Sequence, residues 1–486
     1  MVKFTDIVKA FVKGIARSKV SLIGAAITTI TFPVLVIAGI LDVQGIIRNP
    51  YLGFFIYMVL SPLFITGLVL VFFGLFFFKG KEEVGLFTYD YLKEQFTAPN
   101  KFVRLRKLIT VATFLTLLNV FVIGLVSYTG YHYTESVSFC GTFCHQVMTP
   151  EYTAYQNSPH SRVACVECHI GSGAEWFTKA KISGIKQLYA VAFNTYPRPI
   201  KTPIDSLRPV KDTCEECHRP EFFQGDKLIV KDKFLPDEKN THVETVLLMK
   251  VGSGGYRGEK AHGIHWHVAP GNKIVYRYTD DARKTITDVT LTKPGGAEVV
   301  FSNDDGKSEK ANQGTTRVMD CIDCHNRPTH IYLSPDEALD QKLLTGKIPT
   351  ELPFIKRQAK EEVTRSYATL EEAKNSIATG LRSWYKKNYP DLVAKNPSML
   401  NQAISGAQQA YAENVFPMMS IGWSTYQNFL GHGEDFDRGC FRCHDGSHRT
   451  ATGETIPADC NTCHILLAQD DPHPKVLQGL RGSSNQ

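Results

Sequence analysis

No sign of charge dominates this 486-residue chain: 54 Lys and Arg against 48 Asp and Glu leave a net charge of +6. Spread over this length, that is too little to argue for nucleic acid as a partner. No histidine occurs before His132, and no C-x-x-C-K is present. No cysteine is left over either. The 12 Cys fall into six pairs, and the second member of each pair is followed directly by His. Apolar residues at 43% and charged residues at 21% exclude a disordered chain. The length allows two to four domains.

Three stretches, 21–41, 52–78 and 108–131, carry no charge at all. Each reaches the roughly 20 residues that an apolar helix needs to cross a bilayer, so three spans are expected. Pro33 and Pro62 fall inside two of them, which membrane helices tolerate when neighbours satisfy the freed carbonyls. The first run is too long for a cleaved leader and no small-residue cleavage site follows, so it reads as a signal anchor. Lys and Arg crowd 3–19 and 79–107, whereas 42–51 holds only Arg48. Basic flanks stay in the cytoplasm, which puts the N-terminus inside and everything after Tyr131 outside. Without a His in any of the runs, a haem held inside the membrane by two His is excluded.

From Glu135 the composition turns polar. Five motifs are C-x-x-C-H: Cys165/Cys168/His169, Cys214/Cys217/His218, Cys321/Cys324/His325, Cys440/Cys443/His444 and Cys460/Cys463/His464. A sixth, Cys140/Cys144/His145, has one residue more between its cysteines. Two thiols this close add to the two vinyl groups of one haem, and the adjacent His reaches the iron from the same face. Redox dithiols and four-cysteine zinc sites also use C-x-x-C, but neither needs His after every pair. Six covalently bound c-type haems are therefore expected, with a disulfide as the competing reading at Cys140–Cys144. Such haem is attached on the outer face of the bacterial membrane, in agreement with the basic flanks.

Six irons with six proximal His leave ten others: His132, His160, His242, His262, His265, His267, His330, His432, His448 and His473. His265 and His267 share a face if they lie on a strand, so at most one of them is a ligand. His330 follows His325 by five residues, too close for the same iron, and should serve a neighbouring one. His432 and His448 flank the Cys440 motif and are favoured for the last two irons. His132 and His473 are better read as solvent-facing. Met148, three residues after His145, is a further candidate as a thioether ligand, which leaves open whether His145 or Met148 binds the first iron. The distal candidates are thus His160, His242, His262, His265, His267, His330, His432, His448 and Met148. Lacking C-x-x-C-K, the chain offers no Lys-ligated, substrate-open iron, and the surplus of His argues for saturated irons that pass electrons.

Residues 139–220 resemble the NapC/NirT family of membrane-anchored multihaem quinol dehydrogenases, which includes the small subunit of cytochrome c nitrite reductase. The matching residues are Phe139-Cys140, Cys144-His145 with Met148, Tyr152 to Tyr155, His160, Cys165 to His169, Trp176 to Tyr189 and Cys214 to His218. The segments 321–330 and 439–464 are similar to those of larger inner-membrane cytochromes of metal-respiring bacteria. The resemblance implies that menaquinol is oxidised at the first haem and that His160 is a distal ligand in the first haem cluster. The chain departs from the family in its three uncharged runs, in one added residue at each of two spacings around the first haem, and in its C-terminal half. Where the family often has an acid near the quinol, this chain has Gln187. Lys186 and Gln187 follow Lys179 by seven and eight residues, so on a helix all three share one side. A membrane-proximal Lys there would hydrogen-bond the quinol oxygen and help take its proton; contacts to lipid phosphates or haem propionates are the competing reading.

The expected architecture is a three-transmembrane-helix anchor plus a mostly irregular and α multihaem cytochrome c domain with a small antiparallel β insert. Its parts are a cytoplasmic N-terminus (1–20), a membrane domain (21–131), a NapC/NirT-like three-haem domain (132–220), a β-rich insert (221–318), a three-haem C-terminal domain (319–470) and a disordered tail (471–486). Stretches 244–251, 273–278, 285–292 and 298–301 are rich in Val, Ile, Thr and Tyr and read as strands. Stretches 355–387 and 400–413 read as helices. The function expected is menaquinol oxidation at the outer face of the inner membrane, with membrane lipid and quinone, and periplasmic cytochromes or a reductase, as partners. An anchor subunit without its own quinol site and a terminal reductase are the alternatives, and homo- and hetero-oligomers both stay open.

Overall fold

The computed structural model describes residues 18–43, 59–77, 99–171, 174–204, 209–219, 222–223, 225–253, 255, 260–293, 295–303, 314–433 and 436–481. The chain divides into two units, Met1–His145 and Gln146–Gln486.

The first unit contains helices α1 (Lys19–Val43), α2 (Ser61–Phe77) and α3 (Pro99–Thr134). Small residues let α1 and α2 pack backbone to backbone: a Cβ at Gly24 would lie 2.6 Å from the Gly67 carbonyl oxygen. Ser21 Oγ donates to the Val71 carbonyl at 3.2 Å across the same seam. Leu35, Ala38, Phe64 and Val126 form the buried cluster of this unit.

The three-span anchor expected over 21–131 is corrected by the structure. Among the described residues, no helix is long and apolar enough to cross a membrane. A run without charge becomes a span only where it is held as one sufficiently long apolar helix. In the run 52–78, α-helix is described only for the 17 residues Ser61–Phe77. At 1.5 Å per residue that is about 26 Å, against a hydrocarbon core of about 30 Å. The run 108–131 forms part of α3, which opens on Lys101, Arg104, Arg106 and Lys107 and closes on Tyr131, His132 and Tyr133. Residues 1–17, 44–58 and 78–98, with most of the Lys and Arg that set the expected orientation, lie outside the described residues.

The second unit combines helices with two small antiparallel sheets. One sheet has the order β1-β2-β7 (Lys227–Phe234, His242–Met249, His464–Asp471) and the other β5-β4-β3-β6 (Glu298–Ser302, Ile286–Thr292, Lys273–Tyr278, Thr315–Val318). On β2 the branched residues Val243 and Val246 are buried and anchor the first sheet. Strand β7 begins at the His of the last motif and pairs with β2, Leu248 facing Ile465, so the end of the chain is tied back more than 200 residues.

Helix α4 (His145–Gln156) and helix α5 (Ala174–Ala192) flank the second motif. Between the fourth and fifth motifs lies a helical layer: α6 (Pro335–Leu344), α7 (Ile355–Val363), α8 (Leu370–Asn388) and α9 (Pro397–Asn414). Ala373, Ile377, Leu381 and Tyr385 recur every four residues on α8 and are all fully buried, the spacing that lines one helix face. They pack with Leu339, Ile355, Ala403 and Ala407. Ser334 and Glu337 cap α6 reciprocally. Asn240, at the β1–β2 turn with φ 50°, donates to the Thr350 and Leu352 carbonyls at 2.9 and 2.8 Å and joins sheet to helices. The tail after Pro474 forms a helical turn at Lys475–Gln478, and Arg481 pairs with Glu244.

Candidate haem centres

Each cysteine motif occupies one tight turn. The His backbone N–H donates to the carbonyl of the first Cys, at 2.7 Å from His218 to Cys214, 2.8 Å from His325 to Cys321 and 3.0 Å from His444 to Cys440. That bond brings both Cys and the His within one helical repeat. The first motif differs: Phe139–Phe143 is a π-helical turn, the geometry that takes up one extra residue. The His145 side chain lies outside the described residues. Met148 is half-buried on α4.

Among the described residues no disulfide joins any two of the twelve cysteines, Cys140 and Cys144 included. Among the described residues, the one set of three or more His, Cys, Asp and Glu close enough to share an ion is Asp232, His242 and Glu244. No two described cysteine pairs therefore converge on a zinc site.

The motif cysteines are not all enclosed by protein. Cys168, Cys217 and Cys460 are exposed, whereas the other nine are half-buried. His218 and Arg219, which follow Cys217, are exposed as well. The reason is local. The Cys217 N–H donates to the Cys214 carbonyl at 3.2 Å, so the turn is held by its own backbone and needs no core packed around the second thiol. Cys217 still lies within electrostatic reach of Cys168 in the preceding motif.

The five motifs of the second unit adjoin one another in chain order. The turn Val210–Cys214 touches both Cys165–His169 and Cys321–Asp323. Burial, then the neighbouring thiols of Cys321 and Cys168, push the Cys214 thiol up to about 11. Burial and then Cys440 push Cys324 up to about 12. Cys443 is pushed up to about 12, chiefly by burial, with Cys324 among its neighbours. Cys440 in turn is hydrogen-bonded to Cys463. Residues inside two of these turns also interlock: Arg442 donates to the Asp323 carbonyl and, at 2.8 Å, to the Arg283 carbonyl. Asp323 itself is buried and accepts from Tyr276 at 2.5 Å and from Arg317 at 3.2 Å.

Each motif His of this unit lies near a second imidazole from a distant part of the chain. Ring centres are 6.0 Å apart for His218 and His160, 6.3 Å for His169 and His330, 5.8 Å for His444 and His267, and 6.3 Å for His464 and His432. His265 lies within electrostatic reach of His325. Imidazole nitrogens sit about 2.0–2.1 Å from a bound metal, so two rings on opposite sides of one iron have centres roughly 6–6.5 Å apart. These gaps fit.

Tautomers fit as well. His160, His267, His330 and His432 direct Nδ1 at the carbonyls of Pro328, Ile264, Glu151 and Gly433, at 3.0, 2.7, 3.0 and 2.7 Å. A carbonyl only accepts, so Nδ1 carries the proton and Nε2 keeps its lone pair for iron. Burial, then the His330 ring, pull His169 down to about 4. Burial also lowers His267 and His265. A lowered value favours the uncharged ring, the form a metal needs. The Nδ1 atoms of His265 and His464 are buried and find no protein partner, as expected where part of the surroundings is a prosthetic group. The residues therefore fit covalently bound haem.

Three distal candidates are placed elsewhere. His448 is buried and has both nitrogens engaged, Nδ1 with Asp445 Oδ1 at 3.0 Å and Nε2 with the Ile286 carbonyl at 3.2 Å. His242 Nε2 is held by Asp232 at 2.8 Å. His262 is exposed, its Nδ1 directed at the Lys260 carbonyl. Lys179, Lys186 and Gln187 are exposed on α5, beside the exposed apolar residues Ile182, Ile185 and Tyr189. Glu151, Arg327 and Arg442 escaped the sequence reading. Only the opposite charges of Asp323 and Arg442, both inside cysteine motifs, gave any signal there.

Residues 103–203 match the NapC/NirT cytochrome c family, N-terminal region. Over 472 residues the chain is 38% identical to the cytochrome c-type protein ImcH of Geobacter sulfurreducens, covering 96% of this chain and 91% of that protein. Over 79 residues it is 37% identical to the cytochrome c-type protein NrfH of Wolinella succinogenes, 15% of this chain and 44% of that one. No solved structure is significantly similar. A likeness that runs through nearly the whole chain, on top of a family match across its first cysteine turns, makes this protein a member of the NapC/NirT family of multihaem cytochromes, electron carriers with covalently bound haem c.

Proposed function

We propose that this chain is a hexahaem quinol dehydrogenase of the inner membrane, with its haem-bearing part on the periplasmic side. It takes electrons from menaquinol at the Cys140 motif and delivers them, motif by motif, to a periplasmic cytochrome or reductase. The observation that carries the reading is the in-order row of cysteine turns from Cys165 to His464, each with a second imidazole beside its His. Saturated irons in a row conduct, whereas a terminal reductase needs an open one.

Bound haem supplies the one-electron chemistry, and the protein supplies position, ligands and burial. The motif His and the imidazoles beside them would hold the irons, with Nε2 turned away from the carbonyls that Nδ1 of His160, His267, His330 and His432 faces. Lys179, Lys186 and Gln187 present donors on the exposed face of α5 that hydrogen-bond a quinol oxygen and help receive its proton. Replacing Cys140 and Cys144 by Ala should abolish reduction by a menaquinol analogue, while dithionite still reduces the remaining haems. Equal quinol rates in the variant and the natural protein would overturn the input site and favour an anchor subunit fed by another protein.

A further inference from the structure

The imidazole pairs differ in what faces their outer nitrogen, and one of them stands apart. His160, His267 and His432 meet backbone carbonyls. His330 Nδ1 also lies 3.1 Å from the Glu151 carboxylate Oε2, in addition to the Glu151 carbonyl at 3.0 Å. That side chain is only 16% exposed, and its buried Oε2 makes no hydrogen bond, so it acts on the ring as a nearby charge while the Nδ1 hydrogen bond goes to the Glu151 carbonyl. The nearest cation is Arg327, 3.7 Å from the carboxylate and 7% exposed. Its guanidinium also lies over the Tyr426 ring at 3.9 Å and donates to the Thr202 hydroxyl at 3.3 Å and the His330 carbonyl at 3.4 Å.

A carboxylate at the outer nitrogen polarises an imidazole further than a carbonyl does and makes it a stronger donor to a metal. A buried negative charge also favours the more positive, oxidised iron, and poor solvation enlarges the effect. Both influences lower the reduction potential. Arg327 opposes them from a greater distance.

We propose that Glu151 is a positioning residue that depresses the potential of the iron between His169 and His330, making it the lowest of the five imidazole-paired irons. The inference rests on the reading that these two rings share an iron. The Cys165 motif is first in the row of the second unit, so the low point stands at its head. Strongly reducing donors pass electrons over it, and electrons already further along are hindered from returning.

The test is a spectroelectrochemical titration of the purified holoprotein. In Glu151→Gln, one haem should become easier to reduce. At fixed potential its ferrous-to-ferric ratio should rise about tenfold, which is 59 mV for a one-electron couple, while the others stay in place. Glu151→Asp should restore part of the change, and Arg327→Gln should move the same haem the opposite way. His330→Ala separates the two levels of the argument, because it should turn one haem high-spin by electron paramagnetic resonance. If it does, and Glu151→Gln leaves every potential unchanged, the role of Glu151 is overturned and the ligand pair stands. If His330→Ala leaves every iron low-spin, the pair itself is wrong.

Discussion

His448 and His267 are both non-motif histidines near the Cys440 turn, and replacing each by Ala should give opposite phenotypes. The His448 ring is 1% exposed and bridges Asp445 at 3.0 Å and the Ile286 carbonyl at 3.2 Å. Both nitrogens are engaged by acceptors within the fold, so neither is directed at an iron. The ring ties the loop after the fifth motif to strand β4. Truncation removes a neutral hydrogen bond of about 0.5–1.5 kcal/mol and a charged one of about 1.5–3 kcal/mol, and it leaves a void besides. Asp445 keeps the Ser447 backbone N–H at 2.9 Å and the Ser447 hydroxyl at 2.7 Å, which limits the damage. A loss of roughly 2–4 kcal/mol is expected, read from denaturant unfolding followed by circular dichroism. Every iron should stay low-spin. His267→Ala instead removes the ring 5.8 Å from His444 and should leave one iron high-spin by electron paramagnetic resonance. High-spin iron in His448→Ala, or its absence in His267→Ala, would refute the geometric argument.

Leu381 is fully buried on the inner face of α8, and Leu381→Ala should cost about 2–5 kcal/mol in the same unfolding assay without changing the haem spectrum. Acid should weaken the helical layer through Asp336. Burial alone would raise this carboxyl, but Lys360 at 2.6 Å and Lys356 at 3.4 Å outweigh it and hold it below the usual range. A depressed folded-state value means that the stabilisation is fully present above the unfolded value of about 3.9 and is lost as the pH falls below it. Melting curves from pH 6 to 3 should therefore be flatter for Asp336→Asn than for the natural chain; parallel curves would show that the ion pairs contribute nothing.

Local chemistry was readable from the residues alone. Two thiols and a His within a single turn form a local pattern, so the six motifs could be found by spacing alone, and the extra residue at Cys140–Cys144 coincides with a π turn. Spacing said nothing of enclosure, which leaves Cys217 exposed and Cys214 half-buried within one turn. Strand β3 covers 273–278, as its Val, Ile and Tyr suggested, because a pleated half-buried surface favours those residues. The helix read over 355–387 is broken between Val363 and Leu370. There Thr369 accepts from the Glu372 N–H to start a new helix, a break with a recognisable capping residue. What acts across long separations could not be read in this way. His169 finds His330, His444 finds His267 and β7 finds β2 through packing that no local pattern records. His432 and His448 flank the same motif, yet one ring faces His464 and the other is taken by Asp445 and Ile286. The uncharged runs carried the same weakness, since freedom from charge is a property of sequence whereas the length of a continuous apolar helix is a property of the fold. The residues determined where each cysteine turn lies and which His follows it. Tertiary structure decided which imidazole and which carboxylate stand beside each motif His, because those choices depend on distances between segments that only packing brings together.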